Sequence, residues 1–106
     1  MHAVLERQLA ALAAGDIDAV MENYTPDASL LRFDGVCVGT EQIRATLSAY
    51  LTLKPRLVEL RQYAECADTL FYRAIMNVGG QERGALGTLV LRDGKIWRQT
   101  AGFLGD

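Results

Sequence analysis

The stretch GDIDAVMENYTPDASLLRFDGVCVG, residues 15–39, decides how the rest of the 106-residue chain is read. Gly15 suits the end of one helix and Asp16 the cap of the next. Ile17, Val20, Met21 and Tyr24 then recur at i, i+3, i+4 and i+7 until Pro26 stops the pattern. Thr25-Pro26-Asp27 reads as the turn that follows. From Ala28 the period drops to two. Leu30 and Arg32 share one side, Leu31 and Phe33 the other, so apolar residues on both faces predict a strand covered on both sides. Asp34-Gly35 is a hairpin signal, and Val36, Cys37 and Val38 form the short return strand.

Working outward, Leu5, Leu9 and Leu12 recur at helical spacing with Glu6, Arg7 and Gln8 off the stripe, predicting an amphipathic helix over residues 3–14. Two helices meeting at Gly15-Asp16 must bend against each other. Gly39-Thr40-Glu41 opens a third helix with Thr40 as its cap. Ile43, Leu47, Tyr50 and Leu51 give that helix its apolar face, and Lys54-Pro55 ends it. Two-residue alternation then runs through residues 56–66, 69–78, 83–92 and 95–104, the last pair joined by Asp93-Gly94. In residues 56–66, Val58, Leu60, Ala64 and Cys66 form the apolar face. Counted as three long strands, this remainder gives the order α-α-β-β-α-β-β-β. Helices followed by an antiparallel meander mean an α+β fold, with the helices on one face of a curved sheet.

Composition narrows the function. The formal net charge is −2 and the pI about 5.3, which argues against nucleic acid or an anionic membrane as partner, since both require a basic surface. No run is long enough to span a bilayer, and Glu6 and Arg7 within the first apolar pattern are unlike a signal peptide. Cys37 and Cys66 sit in apolar, strand-like segments, which fits a reduced cytoplasmic protein better than a disulfide scaffold. A bridge between them stays open. The single histidine is His2, at a terminus expected to fray, so neither a Ser-His or Cys-His pair nor a His-ligated metal site is expected inside the fold. The glycine-rich Gly79–Gly84 segment lacks the following Gly-Lys-Ser/Thr of a phosphate loop.

The order of elements and three local motifs resemble the cystatin-like α+β family that includes nuclear transport factor 2, ketosteroid isomerase and the SnoaL-type polyketide cyclases. The motifs are AAGDIDAVMENYTPDASL at residues 13–30, Gly39-Thr40-Glu41-Gln42-Ile43 at the start of the third helix, and the Asp-Gly hairpin before the last strand. The resemblance implies one SnoaL-like/NTF2-like domain over residues 1–106, a cone-shaped cavity between sheet and helices, and a homodimer formed through the outer sheet face. It implies a small-molecule ligand and no cofactor. In the steroid isomerases, a helical tyrosine, an aspartate base and a protonated aspartate carry the chemistry. Matched on the Gly-Asp junction, these positions fall at Gln8, at Arg32, and at Gly87 or Leu89, and the supporting tyrosine falls near Leu47. Every one departs from the pattern, so steroid-type isomerisation by that machinery is not expected.

The candidate site residues follow from which way each side chain points. On the family's pattern Arg32 points inward beside Leu30. A guanidinium keeps its charge there and must find an anion, either a ligand or a protein acid. The other reading puts Arg32 at the open end of the strand, in water or paired with Asp34. Asp34 is either an acid near the pocket or the turn residue of its dipeptide. Tyr72, between Leu70 and Ala74, is either a donor to a ligand carbonyl or a core residue. Trp97, Gln99, Ala101 and Phe103 form one face of the last strand, which the same resemblance makes the inner face, and there the Gln99 amide needs a polar partner. Tyr24 and Tyr50 are read as core, with Tyr50 in reach of the pocket.

Two functions are therefore carried forward. One is a cofactor-free acid–base enzyme of isomerase, cyclase, hydratase or epoxide hydrolase type, acting on an apolar carbonyl or carboxylate compound. Its candidates are Arg32, Asp34 and Tyr72 for chemistry, with Gln99, Trp97, Phe103, Leu30, Leu70 and Tyr50 around the ligand. The other is a non-catalytic dimeric module for ligand binding or association. Outward Phe71, Ile75, Leu86, Val90 and Ile96 support dimerisation under both. The direction of Arg32 separates the two.

Overall fold

Gly15 ends the first helix in the left-handed conformation (φ 68°), and Asp16 starts the second by accepting a 3.1 Å hydrogen bond from the Ala19 N–H. This corner, expected from the Gly-Asp pair, joins α1 (Ala3–Ala14) to α2 (Ile17–Glu22) in the computed structural model, which describes residues 1–105. The chain continues through β1 (Tyr24–Arg32), β2 (Gly35–Val38), α3 (Thr40–Leu51), β3 (Arg56–Cys66), β4 (Thr69–Val78), β5 (Gln81–Arg92) and β6 (Lys95–Leu104). All four segments after α3 are separate strands, one more than the expected order counted. The α+β class and the helices on one face are as expected. The six-stranded sheet has the order β2-β1-β6-β5-β4-β3, antiparallel except where β6 returns beside β1.

Several local expectations are corrected. Thr25-Pro26-Asp27 is not a turn. α2 stops at Glu22, and β1 begins at Tyr24 with an irregularity between Tyr24 and Ser29. Pro26 is tolerated there because an irregular stretch of strand has no ladder bond for its missing N–H to make. The β1–β2 turn is Phe33-Asp34, since Gly35 already pairs with Arg32. Gly39 occupies the cap position of α3, and Thr40 is its first helical residue. His2 is held in place. Its Nδ1 accepts from the Val4 N–H at 3.0 Å, capping α1, and its own N–H donates to the Tyr63 hydroxyl at 2.9 Å.

Bulges account for the remaining differences. β3 slips register between Leu57 and Glu59 and again between Leu60 and Gln62. Each slip exchanges the two faces of a strand. Leu60 and Tyr63 therefore turn inward, while Val58 and Cys66 are exposed. Cys37 is buried and its Sγ lies 3.2 Å from the Thr46 hydroxyl; both cysteines are free thiols. A slip between Val90 and Leu91 does the same where β5 meets β6. Ile96, expected outside, is fully buried, and Trp97 is turned away from the cavity. The core lies between the sheet and the helices, built on Val4, Leu5, Val20, Leu30, Ile43, Leu70, Leu89 and Ile96. Burying each of the larger side chains contributes about 1.5–3 kcal/mol. Leu31, expected under cover, is 46% exposed on the outer side of β1.

Candidate functional site

α1 packs on the sheet through Val4, Leu5, Gln8 and Ala11 rather than through the Leu5-Leu9-Leu12 stripe alone. This rotation brings Gln8, read from sequence as an outer residue, into the interior at 5% exposure. There it meets Tyr24, expected as a core residue of the second helix and found buried as the first residue of β1. The Gln8 Nε2 donates to the Tyr24 hydroxyl at 3.0 Å, and that hydroxyl donates to Gln99 Oε1 at 2.5 Å. Asn23 Nδ2 donates to Gln8 Oε1 at 2.8 Å, and Arg7 Nε donates to Asn23 Oδ1 at 3.3 Å. Gln8, Asn23, Tyr24 and Gln99 are all buried. Buried polar groups carry a desolvation penalty unless bonded, and here each one is bonded to the next.

The network forms the polar floor of a cavity of about 500 Å³ that opens between the helices and the inner face of the sheet. Leu5, Leu9 and Leu12 of α1, Leu47 and Tyr50 of α3, and Leu57 and Leu60 of β3 give it apolar walls. Leu30, Tyr72, Ala74, Met76, Leu89, Gln99 and Ala101 complete the sheet side. This volume lies within the range of known ligand clefts, and the lining is mostly apolar with a few polar groups.

Tyr72 lies across the sheet over its register partner Gly87. A Cβ on residue 87 would stand 2.7 Å from the Tyr72 hydroxyl oxygen and 2.8 Å from the Thr100 carbonyl. Gly87 is thus the vacancy that the Tyr72 phenol fills, at one of the positions where the family resemblance places an acid. Among the described residues the Tyr72 hydroxyl has no hydrogen-bond partner, nor does Gln99 Nε2, and neither is sealed from the cavity. Burial raises the Tyr72 pKa and raises that of Tyr24, with the nearby Tyr72 adding to the second; for Tyr50 burial and Tyr72 push it up to about 12. All three phenols stay protonated at neutral pH, so Tyr24 donates to Gln99 and the other two are free to donate rather than to act as bases.

Arg32 lines the cavity at its mouth, half-buried, with Nη1 3.4 Å from Asp34 Oδ1. Its Nε is buried without a partner. The guanidinium already has a protein carboxylate, although Asp34 itself is mostly exposed. Phe33, at the turn, is 92% exposed and lays its ring over Gly102, where a Cβ would approach it to 2.9 Å. Phe103 completes the rim, with the Arg83 guanidinium 4.3 Å from its ring centroid and Tyr50 at 6.3 Å. Arg83 was read only as the first residue of a strand, at the end of the glycine-rich Gly79–Gly84 segment.

Thus the structure brings together Leu30, Arg32, Asp34, Tyr50, Tyr72, Gln99 and Phe103. Leu70 and Trp97 stand apart. Leu70 is fully buried in the core and does not reach the cavity. Trp97, redirected by the β5–β6 slip, has the Arg98 guanidinium 3.9 Å and the Arg92 guanidinium 5.0 Å from its ring centroid, and Arg92 in turn pairs with Asp27 at 2.6 Å. Sequence reading missed Gln8, Asn23 and the role of Tyr24. The available signal was Gln8 at i+4 from Val4 and i+3 from Leu5, a polar residue on a core-facing row. Among the described residues no three His, Cys, Asp or Glu side chains gather as a metal-holding group, and no helix is long and apolar enough to cross a membrane.

Fold and cavity together define an α+β protein with three helices packed against a six-stranded sheet and a cavity between them. The chain belongs to the SnoaL-like domain family, whose sequence profile matches residues 5–99. Solved structures agree on the fold. A Kribbella flavida protein provisionally assigned as a ketosteroid isomerase superposes with a TM-score of 0.84 at 11% identity, covering 98% of this chain and 77% of the other. A Sinorhizobium meliloti protein provisionally assigned as a polyketide cyclase gives 0.81 at 19% identity, covering 95% and 94%. TerC, co-crystallised with polyporic acid, gives 0.80 at 20% identity, covering 95% and 88%. At such identities the likeness is one of fold. No curated protein matches the sequence.

Proposed function

We propose that this chain binds a small, mostly apolar molecule whose carbonyl end rests on the Tyr24–Gln99–Tyr72 floor. The observation that carries this reading is an open cavity of about 500 Å³ ending on two unpartnered polar groups, Gln99 Nε2 and the Tyr72 hydroxyl. A free carbonyl oxygen fits a floor of neutral amide and phenol groups better than a carboxylate does, because nothing on that floor carries charge. Arg32 and Arg83 stand at the mouth, so a carboxylate would be held there, and at Arg32 it would compete with Asp34.

The enzymatic form of this reading gives proton transfer to Asp34, the one carboxylate lining the cavity among the described residues, with Tyr72 and Gln99 polarising the carbonyl. That division suits isomerisation or cyclisation of a carbonyl compound. The non-catalytic form uses the same floor for binding alone. Family neighbours provisionally assigned as an isomerase and a cyclase support the first, and the pairing of Asp34 with Arg32 supports the second. Titration with a bicyclic ketone decides the binding claim. Gln99→Leu should weaken the ketone about tenfold, the cost of losing one good buried hydrogen bond. Equal affinity in the variant would refute the floor as the carbonyl site. Deuterium exchange of the ketone's α-protons, lost in Asp34→Asn, would assign catalysis; no exchange in the parent leaves the binding form.

The same reading includes a homodimer through the outer sheet face, where Phe71 and Val58 are about half-exposed beside partly exposed Ile75 and Val90. Light scattering should give twice the 11.6 kDa chain mass, and Phe71→Glu should halve it. A reducing, cytoplasmic location is in keeping with two unpaired cysteines.

A further inference from the structure

The order of the hydrogen bonds under the cavity carries more than burial satisfaction. Every member between Arg7 and Gln99 is able to turn either way: Asn23, Gln8 and Gln99 are amides with one accepting and one donating end, and a phenol both donates and accepts. Arg7 is different. A guanidinium has only donors, so the Asn23 atom facing it must be the carbonyl oxygen, Oδ1. That choice points Asn23 Nδ2 at Gln8, which must present Oε1. Gln8 then presents Nε2 to Tyr24, whose oxygen accepts and whose proton goes to Gln99 Oε1. The last free end is Gln99 Nε2, facing the cavity as a donor. Gln99 is 9% exposed and meets solvent only through the cavity, where water accepts or donates equally and so does not override the orientation fixed at Arg7.

We infer that Arg7, outside the cavity, sets the hydrogen-bonding polarity of the cavity floor through the one-way relay Arg7–Asn23–Gln8–Tyr24–Gln99, so that the pocket selects ligands presenting an acceptor oxygen and rejects those presenting a donor there. This rests on the carbonyl-binding reading and sharpens it. Arg7 is a positioning residue: exposed itself, it touches no ligand. Polarisation along the relay strengthens each bond in the same sense, so Gln99 is a better donor than an isolated amide.

The inference makes an unusual demand on Asn23→Asp. A carboxylate at 23 still accepts from Arg7, but it offers Gln8 only an acceptor. Gln8 must turn Nε2 toward it and Oε1 toward Tyr24. The phenol then donates to Gln8 and accepts from Gln99 Nε2, leaving Gln99 Oε1 facing the cavity. One substitution far from the ligand inverts the floor.

The test compares two size-matched probes, 1-indanone with an acceptor only and indole with a donor only, titrated against the full chain. The parent should prefer indanone by about tenfold, the usual penalty for facing donor against donor. Asn23→Asp should reverse that preference. Arg7→Met, at an exposed position that leaves the core intact, should bring the two affinities close together, and Arg7→Lys, still a pure donor, should restore the parent's preference. Probe binding with an unchanged preference in both Asn23→Asp and Arg7→Met overturns the relay while leaving the pocket reading standing. Failure of both probes to bind the parent overturns the pocket reading instead. In that event nitrogen-15 spectra of the Gln99 amide still decide the relay. One Nε2 proton should move downfield in Asn23→Asp as it bonds to Tyr24, and an unmoved signal in a folded variant overturns the inference. Should Asn23→Asp fail to fold, the Arg7 pair decides by the same preference ratio.

Discussion

Tyr24→Phe removes one oxygen from the interior and nothing else. The ring, 3% exposed, keeps its packing, and the lost hydroxyl is the only link between Gln8 Nε2 at 3.0 Å and Gln99 Oε1 at 2.5 Å. Both amide atoms are then left facing a hydrocarbon edge. An unsatisfied buried group costs about 1–3 kcal/mol, so two of them cost about 2–4 kcal/mol once partial relaxation toward the cavity is allowed. For a chain of this size that lowers Tm by about 10–20 °C. Urea unfolding followed by far-ultraviolet circular dichroism gives the loss directly. Tyr50→Phe is the control, because the Tyr50 hydroxyl has no hydrogen-bond partner among the described residues, and it should cost about 0.5 kcal/mol or less. Adding Gln99→Leu to Tyr24→Phe should cost less than the sum of the two single changes, since an absent partner cannot be orphaned. A Tyr24→Phe loss no larger than that of the control, or strictly additive double variants, would refute the buried relay as a structural element.

Three further outcomes follow from the same geometry. Stability should hold up to about pH 10 and then fall, because Tyr24, Tyr50 and Tyr72 keep their protons in the fold beyond the value at which the unfolded chain releases them. The unfolded state binds fewer protons in that window, so ΔG of unfolding decreases with pH; a flat Tm from pH 9 to 11.5 would contradict the burial of these phenols. Gly87→Ala places a methyl 2.7 Å from the Tyr72 hydroxyl oxygen and 2.8 Å from the Thr100 carbonyl. It should cost about 1–3 kcal/mol in urea unfolding, and Tyr72→Phe should relieve only part of it because the backbone oxygen does not yield. Trp97→Phe should leave ketone affinity unchanged, whereas a loss like that of Gln99→Leu would return Trp97 to the pocket.

What was legible in the sequence depended on periodicity, and what was not depended on breaks in it. Gly15-Asp16 and the Asp93-Gly94 hairpin were readable because each rests on a local requirement, a left-handed backbone or a cap, that tertiary packing does not alter. The third helix was readable from its apolar spacing and not from its cap. The cavity-facing parity of Leu30, Tyr72 and Gln99 was readable because β1, β4 and β6 alternate regularly through those positions. Trp97, Ile96 and Cys66 were misread for a single reason. Each lies beyond a bulge, and one added residue exchanges the two faces of a strand with no compositional trace. Gln8 and Asn23 were missed for another. A glutamine on a helix reads as solvent-facing unless its partners are known, and those partners, Tyr24 and Gln99, come from two strands distant in sequence that the β1–β6 pairing brings together.

The departure from the isomerase pattern is therefore asymmetric. Matched position by position, the tyrosine, the base and the second acid are all replaced, which suggests that both halves of proton-transfer chemistry are gone. The structure separates the halves. At the base position Arg32 is turned to the mouth and held by Asp34, so among the described residues no basic group stands deep in the cavity. On the donor side, Gln8 at the tyrosine position reaches Tyr24 and through it Gln99, while Tyr72 fills the space above Gly87. On the carbonyl-binding reading proposed above, Gln99 and Tyr72 would then supply the donors in place of the residues at those two positions. A site that keeps its donors and lacks a buried base can still hold and polarise a carbonyl; abstraction of an adjacent proton falls to Asp34 or does not occur. Restoring a base tests that division. Arg32→Asp places a carboxylate on the inner side of β1 and removes the cation that holds Asp34. If the donor side is intact, α-proton exchange of a bound ketone should rise at least tenfold over the parent, and combining the change with Gln99→Leu should abolish the gain. No gain in a folded variant that still binds the ketone would mean that the donors hold the oxygen without stabilising the charge that develops on it.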